Sequence, residues 1–221
     1  MPILKEFDLA LPIIGPLSDE MWKEKRMNFS NEVRCICALY ERLFPTYKTD
    51  CSWKVLVRCV EKPIDQIKTV AGVTEVQISF NINTYNSLKP EDKKAMVLSV
   101  LQQGIERVIE VKGWKKEFFL RAYNGVIDAH YTNQWIMKKP KSSPNRQWKA
   151  YIYCEHDLTV FQATLYIENK NGELYSKTLL FREAPDEFAF AQRLGEIKWV
   201  SNHEVIFYNQ RKDHFWKMNI E

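Results

Sequence analysis

Residues 148–169, WKAYIYCEHDLTVFQATLYIEN, decide the reading of this chain. Ala150, Ile152 and Cys154 alternate with Tyr151 and Tyr153, and Leu165 and Ile167 alternate with Tyr166. Alternation at period two reads as a strand with one face in a core and one face away from it. Glu155-His156-Asp157 falls where the turn between the two runs belongs. Further runs follow as GELYSKTLLF (172–181), EIKWV (196–200), EVIFYN (204–209) and HFWKMNI (214–220). Asn171-Gly172 is a strong hairpin signal, because both residues tolerate the positive φ of a tight turn. Ser201-Asn202 marks another turn, and Ala184–Leu194 is a longer link with room for one helical turn after Pro185. Short strands joined by turn residues predict an antiparallel meander. Leu179-Leu180-Phe181 breaks the alternation, as a strand buried on both faces does.

Upstream of the meander the periodicity changes. Trp22, Phe29, Val33, Ile36, Cys37, Tyr40, Leu43 and Phe44 recur at helical spacing, with Ser18 as N-cap and Pro45 as the stop. The helix either runs through or splits near Ser30. Residues 53–59 and 75–82 alternate apolar with polar and are expected to pair as antiparallel neighbours around residues 61–72. Pro90 with Glu91 and Asp92 opens a further helix, and Gly113 closes it. Gly104 falls on that helix's apolar stripe, which predicts close packing of another element there. A third helix is predicted over 116–137, with Phe119, Ala122, Tyr123, Val126, His130 and Met137 on one face and Trp135 on the polar side. Residues 138–149, KKPKSSPNRQWK, carry five basic residues and no acid, and read as a loop or linker.

The bulk composition excludes more than it assigns. Lys and Arg number 32 against 28 Asp and Glu, so the net charge of +4 does not by itself point to a polyanion. No apolar run is long enough to cross a membrane as a helix. The N-terminal MPILKEFDLALPIIGP holds acids within its apolar stretch and has no basic leader region. Five scattered cysteines, an odd number, are expected to be reduced thiols in a cytoplasmic protein. Cys35 and Cys37 lie about 200° apart around a helix, so they do not form a thiol pair. There is no CxxC, HExxH, glycine-rich phosphate loop or nucleophile elbow, so no cofactor, metal or catalytic residue is assigned.

The sequence therefore predicts an α+β fold: an antiparallel C-terminal β-meander plus an N-terminal strand pair packed with about three α-helices. One compact domain over 1–221 is the first expectation. The alternative is a helix-rich lobe, 1–137, and a β-meander lobe, 147–221, joined by the basic loop 138–146. The leading functional expectation is a protein-binding module that occludes or holds a macromolecular partner, a toxin-neutralising immunity protein being one form. Trp135, Trp148, Tyr151, Tyr153, Tyr166 and Trp199 are the candidate partner-binding residues, because aromatic side chains concentrate at interaction hot spots. A second reading is an enzyme of unfamiliar type in which His156, His203 and His214 converge. A third is a nucleic-acid binder acting through the basic loop.

Overall fold

The computed structural model describes residues 1–15 and 19–220. The chain divides into two compact units, Met1–Asn133 and Gln134–Glu221. The first contains β1 (Ile3–Leu4), β2 (Glu6–Ala10), α1 (Asp19–Leu43), β3 (Tyr47–Lys48), β4 (Lys54–Val60), β5 (Lys68–Val70) and β6 (Val73–Ser79). It continues with α2 (Ile82–Asn86), α3 (Pro90–Lys112) and α4 (Lys116–Asp128). The second is built from β7 (Asn133–Ser142), which starts at the boundary, β8 (Trp148–His156), β9 (Phe161–Asn169) and β10 (Leu174–Glu183). After these come α5 (Glu187–Ala191), β11 (Glu196–Trp199), β12 (Glu204–Tyr208) and β13 (Phe215–Asn219). The fold is mixed α+β, with an antiparallel sheet in the C-terminal unit.

The first unit is organised by a four-stranded sheet in the order β2-β4-β6-β5. Leu9, Val57 and Val76 lie side by side in its register, and all three are fully buried. The expected antiparallel pairing of residues 53–59 with 75–82 is corrected, since β4 and β6 run parallel. The reason lies in residues 61–72, which contain β5. The chain reverses once into β5 and again at Ala71-Gly72, both at positive φ, before β6 enters beside β4. The pair is also extended by β2, parallel to β4, with α1 as the crossover such a connection needs.

Helix α1 runs unbroken through Ser30; Ser18, the expected N-cap, lies outside the described residues. Phe7, Tyr40, Phe44 and Phe119 form the aromatic centre, with Phe7–Tyr40 and Phe44–Phe119 ring centroids 4.9 Å apart. The Tyr40 hydroxyl donates to the Phe119 carbonyl at 3.1 Å. Pro90 starts α3, and Gly113 ends it in the left-handed region at φ 65°. Gly104 has the predicted packing reason: a Cβ there would lie 2.4 Å from Cγ2 of Val57, so α3 sits directly on β4. Cys35 and Cys37 are both buried, and burial pushes the Cys37 thiol pKa well up.

The predicted helix over 116–137 stops at Asp128. His130 and Tyr131 take positive φ of 50° and 56° and turn the chain into β7. His130 is thereby exposed in a turn rather than packed on a helix face. The apolar spacing of Tyr131, Trp135 and Met137 fits a helix and a strand about equally, and no glycine or proline marks the end. The basic loop is corrected too. Residues 138–142 are the second half of β7, and 143–147 are the turn into β8.

The second unit pairs a four-stranded sheet, β10-β9-β8-β7, with a three-stranded one, β11-β12-β13. β8 with β9, β9 with β10, β11 with β12 and β12 with β13 all pair antiparallel. Ala150, Ile152, Cys154, Phe161, Ala163, Leu165 and Ile167 from the larger sheet share a core with Val205 and Phe207 from the smaller. Phe190 of α5 plugs this core, its ring stacked on Phe161 with centroids 3.8 Å apart. The broken alternation at Leu179-Leu180-Phe181 has a geometric cause. β10 shifts register between Leu179 and Phe181, so Leu180 and Phe181 both pack against the core while Leu179 does not.

Candidate partner-binding face

The core-facing residues of β8 and β9 fix what stands on the other side of the sheet. With Ala150, Ile152, Leu165 and Ile167 inside, Tyr151, Tyr153 and Tyr166 project from the opposite face, each half-buried. Tyr151 pairs directly with Tyr166 across β8 and β9, and their rings stack at 5.3 Å with planes 9° apart. Tyr153 meets the edge of Tyr166 at 5.7 Å. From β10, the Lys177 ammonium lies 5.4 Å from the centre of the Tyr166 ring, a cation–π distance.

A polar lattice fixes this cluster. The Tyr151 hydroxyl donates to Glu168 at 2.5 Å, and the Tyr153 hydroxyl donates to Gln134 at 2.6 Å. Gln134 donates in turn to Glu155 at 2.9 Å, and Gln162 donates to the other oxygen of the same carboxylate at 2.5 Å. The lattice thus engages β7, β8 and β9, and Lys177 adds β10. Partial burial, then the bond to Glu168, pushes the Tyr151 pKa up to about 12. Burial and the nearby Glu155 charge also raise that of Tyr153.

The three tryptophans do not join the tyrosines. Trp135, Trp148 and Trp199 all pack against the apolar core of the unit. Trp135 lies on Phe161 at 5.9 Å, and Trp148 meets Tyr175 edge-on at 4.9 Å. Trp199 donates its ring N–H to the Lys141 carbonyl at 2.9 Å. Phase explains the split: Trp148 is an even number of residues from Ala150, and Trp135 lies on a strand rather than on the polar side of a helix. In their place the structure supplies two residues that the sequence reading passed over. Leu179 sits across from Thr164 on the tyrosine side, and Ile136 is in phase with Gln134. They are 46% and 47% exposed, so the face has apolar margins. The bulge in β10 hid the phase of Leu179, and the misread helix hid that of Ile136.

Both edges of this sheet are blunted. β7 carries Lys138, Lys139, Pro140 and Lys141, with Lys138 at φ 61°. β10 has two register breaks. Prolines, lysines and bulges at an edge oppose the docking of a further strand. β7 and the turn after it also tie the two sheets together. Lys138 donates to the Gly195 carbonyl at 2.8 Å, and the Asn145 amide donates to the Asn202 side chain at 3.0 Å. Lys212, by its hydrogen bond and charge, holds the Glu196 carboxyl below its usual range, and Lys138 and Lys141 add to this.

The histidines do not converge. His156 is buried, its Nε2 is 3.0 Å from the Pro185 carbonyl oxygen, and its ring stands edge-on to Phe190 at 5.2 Å. It is a core residue and not part of a solvated turn. His203 precedes β12 and His214 precedes β13. In the antiparallel register Glu204 pairs with Asn219 and Tyr208 with Phe215, so the two histidines stand at opposite ends of the hairpin. Four strand steps separate those ends, roughly 14 Å. Among the described residues no group of three or more His, Cys, Asp or Glu is placed to hold a metal ion. No described helix is long and apolar enough to cross a membrane.

Comparison with known proteins adds no relative: no family model fits the sequence, and no curated protein or solved structure matches it.

Proposed function

We propose that the C-terminal unit is a protein-binding module whose contact surface is the tyrosine-bearing face of β10-β9-β8-β7. The observation that carries this reading is the stack of Tyr151 on Tyr166, braced by Tyr153 and Lys177, on the side of the sheet away from the core. Tyrosines held in place by neighbours lose little freedom on binding and present a large amphipathic area. Four strands of about nine residues cover roughly 600 Å² before side-chain relief, from about 4.8 Å between strands and 3.4 Å per residue. A standard protein interface takes about 800 Å² per partner, so one folded partner covering the whole face is the matching scale. The blunted edges favour docking on the face over strand addition. The partner is expected to present an apolar patch to Ile136, Leu179 and the tyrosine rings, with hydrogen-bonding groups at its rim.

The test is capture of a partner from native lysate by the full chain, followed by affinity measurement with that partner made recombinantly. Tyr151→Ala with Tyr166→Ala is expected to weaken binding by about 30-fold or more, the loss typical of a central aromatic hot spot. Circular dichroism and a melting curve establish that the variant remains folded. Undiminished affinity in a folded variant refutes the reading.

A further inference from the structure

We infer that the first unit binds a small amphipathic carboxylate in a cleft at the carboxyl ends of its parallel strands. β2, β4 and β6 run in one direction and finish together at Ala10, Val60 and Ser79. Open α/β sheets bind their ligands outside this end of the strands. A cleft of about 320 Å³ lies there, between residues 11–15, the first turns of α1, the end of β4 and the segment 80–83. That volume is at the small end of the range for ligand sites, roughly 300–1,000 Å³.

Its lining determines the ligand class. Trp22 and Phe80 are large apolar walls, and Ile82 and Val60 add aliphatic surface. The one polar group of Trp22 is already used, since its ring N–H donates to the Pro12 carbonyl at 2.8 Å. Gly15 lies so close to the indole that a Cβ would come within 2.0 Å of Cε2, so backbone and ring close one side together. At the rim Ile14 is 87% exposed, an apolar side chain that a bound hydrocarbon would cover. Lys25 supplies the charge. Its ammonium donates to the Asn83 side chain at 3.1 Å, which steadies it at the cleft, and no ion pair joins it to a described residue. Glu61 also lines the cleft, is exposed, and opposes an anion. An apolar body against Trp22 and Phe80 with a carboxylate on Lys25 satisfies both parts of the site.

Decanoate is the probe, with decanol as its uncharged counterpart, each added to the full chain carrying labelled isoleucine methyl groups and followed by NMR. The expected result is a saturable shift of the Ile82 methyl with decanoate, with decanol binding about five-fold more weakly or less well still, as one exposed ion pair would set. Lys25→Gln is expected to remove the preference while leaving the remaining spectrum unchanged, and Glu61→Gln to strengthen decanoate binding. Absence of a saturable shift at Ile82 overturns the proposal. Equal affinity for decanoate and decanol, or an unaltered preference in Lys25→Gln, overturns the anionic half of it.

Discussion

Each unit has a sheet with one face turned to its own core, and the two opposite faces are built differently. In the first unit the outer face of β2, β4 and β6 is a ladder of charges. Lys54 pairs with Asp8 at 3.0 Å, and Arg58 pairs with Glu75 at 2.7 Å. Each of these charges has an opposite neighbour. In the second unit the corresponding positions hold stacked tyrosines with leucine and isoleucine at the margins. Paired charges are costly to strip of water, whereas tyrosine rings are not. Under the proposed function the second face, and not the first, meets a partner.

The edges of the two sheets differ as well. The edge of β2 is closed by one helix. Glu41 accepts from the Phe7 amide at 2.8 Å, and Arg34 donates to the Phe7 carbonyl at 3.2 Å. These residues are seven apart on α1, two turns along the same face, and they also bond to each other at 3.0 Å. They satisfy the edge backbone as a neighbouring strand would. The second unit relies on bulges, lysines and a proline instead.

The largest effect expected to test this contrast lies on the inner side. Leu101→Ala removes a fully buried side chain of α3 and should cost about 2–5 kcal/mol of stability, read from denaturant midpoints. An unchanged midpoint would mean that the inner face of the first unit does not carry its stability. On the outer faces the effects are smaller and unequal. Tyr166→Ala loses two aromatic contacts and is expected to cost about 1 kcal/mol, whereas Arg58→Gln loses a partly exposed ion pair worth about 0–1 kcal/mol. Only the tyrosine change should diminish partner binding; if Arg58→Gln diminishes it equally, the contrast between the faces fails.

The smallest effect is spectroscopic. Because the folded pKa of Tyr151 is pushed up to about 12 from an ordinary value near 10, its contribution to stability is complete below pH 10 and is lost as pH rises through 12. Absorbance titration of phenolate should therefore show Tyr151 ionising after the exposed tyrosines, and Tyr151→Phe should remove that late component. If Tyr151→Phe instead takes its amplitude from the component near pH 10 and leaves the late one intact, neither the burial of Tyr151 nor its Glu168 bond holds in solution.

Much of this architecture was legible in local pattern. The alternation of residues 150–154 and 163–167, the Asn171-Gly172 turn, and the Pro90 start and Gly113 stop of α3 all follow from interactions between near neighbours. Which face of a strand is buried also follows, since period two permits only two choices. Strand direction does not. β4 and β6 carry the same alternation whether parallel or antiparallel, and only the insertion of β5 decided it. The end of α4 at Asp128 was equally hidden, because the two left-handed residues His130 and Tyr131 bear no glycine to announce them. The candidate face divides along the same line. Tyr151, Tyr153 and Tyr166 stand on one face because they share a phase on adjacent strands. Trp135, Trp148 and Trp199 pack on the core instead, because membership of a surface depends on register, on bulges and on which sheet packs behind, and these are set by contacts between residues far apart in the chain.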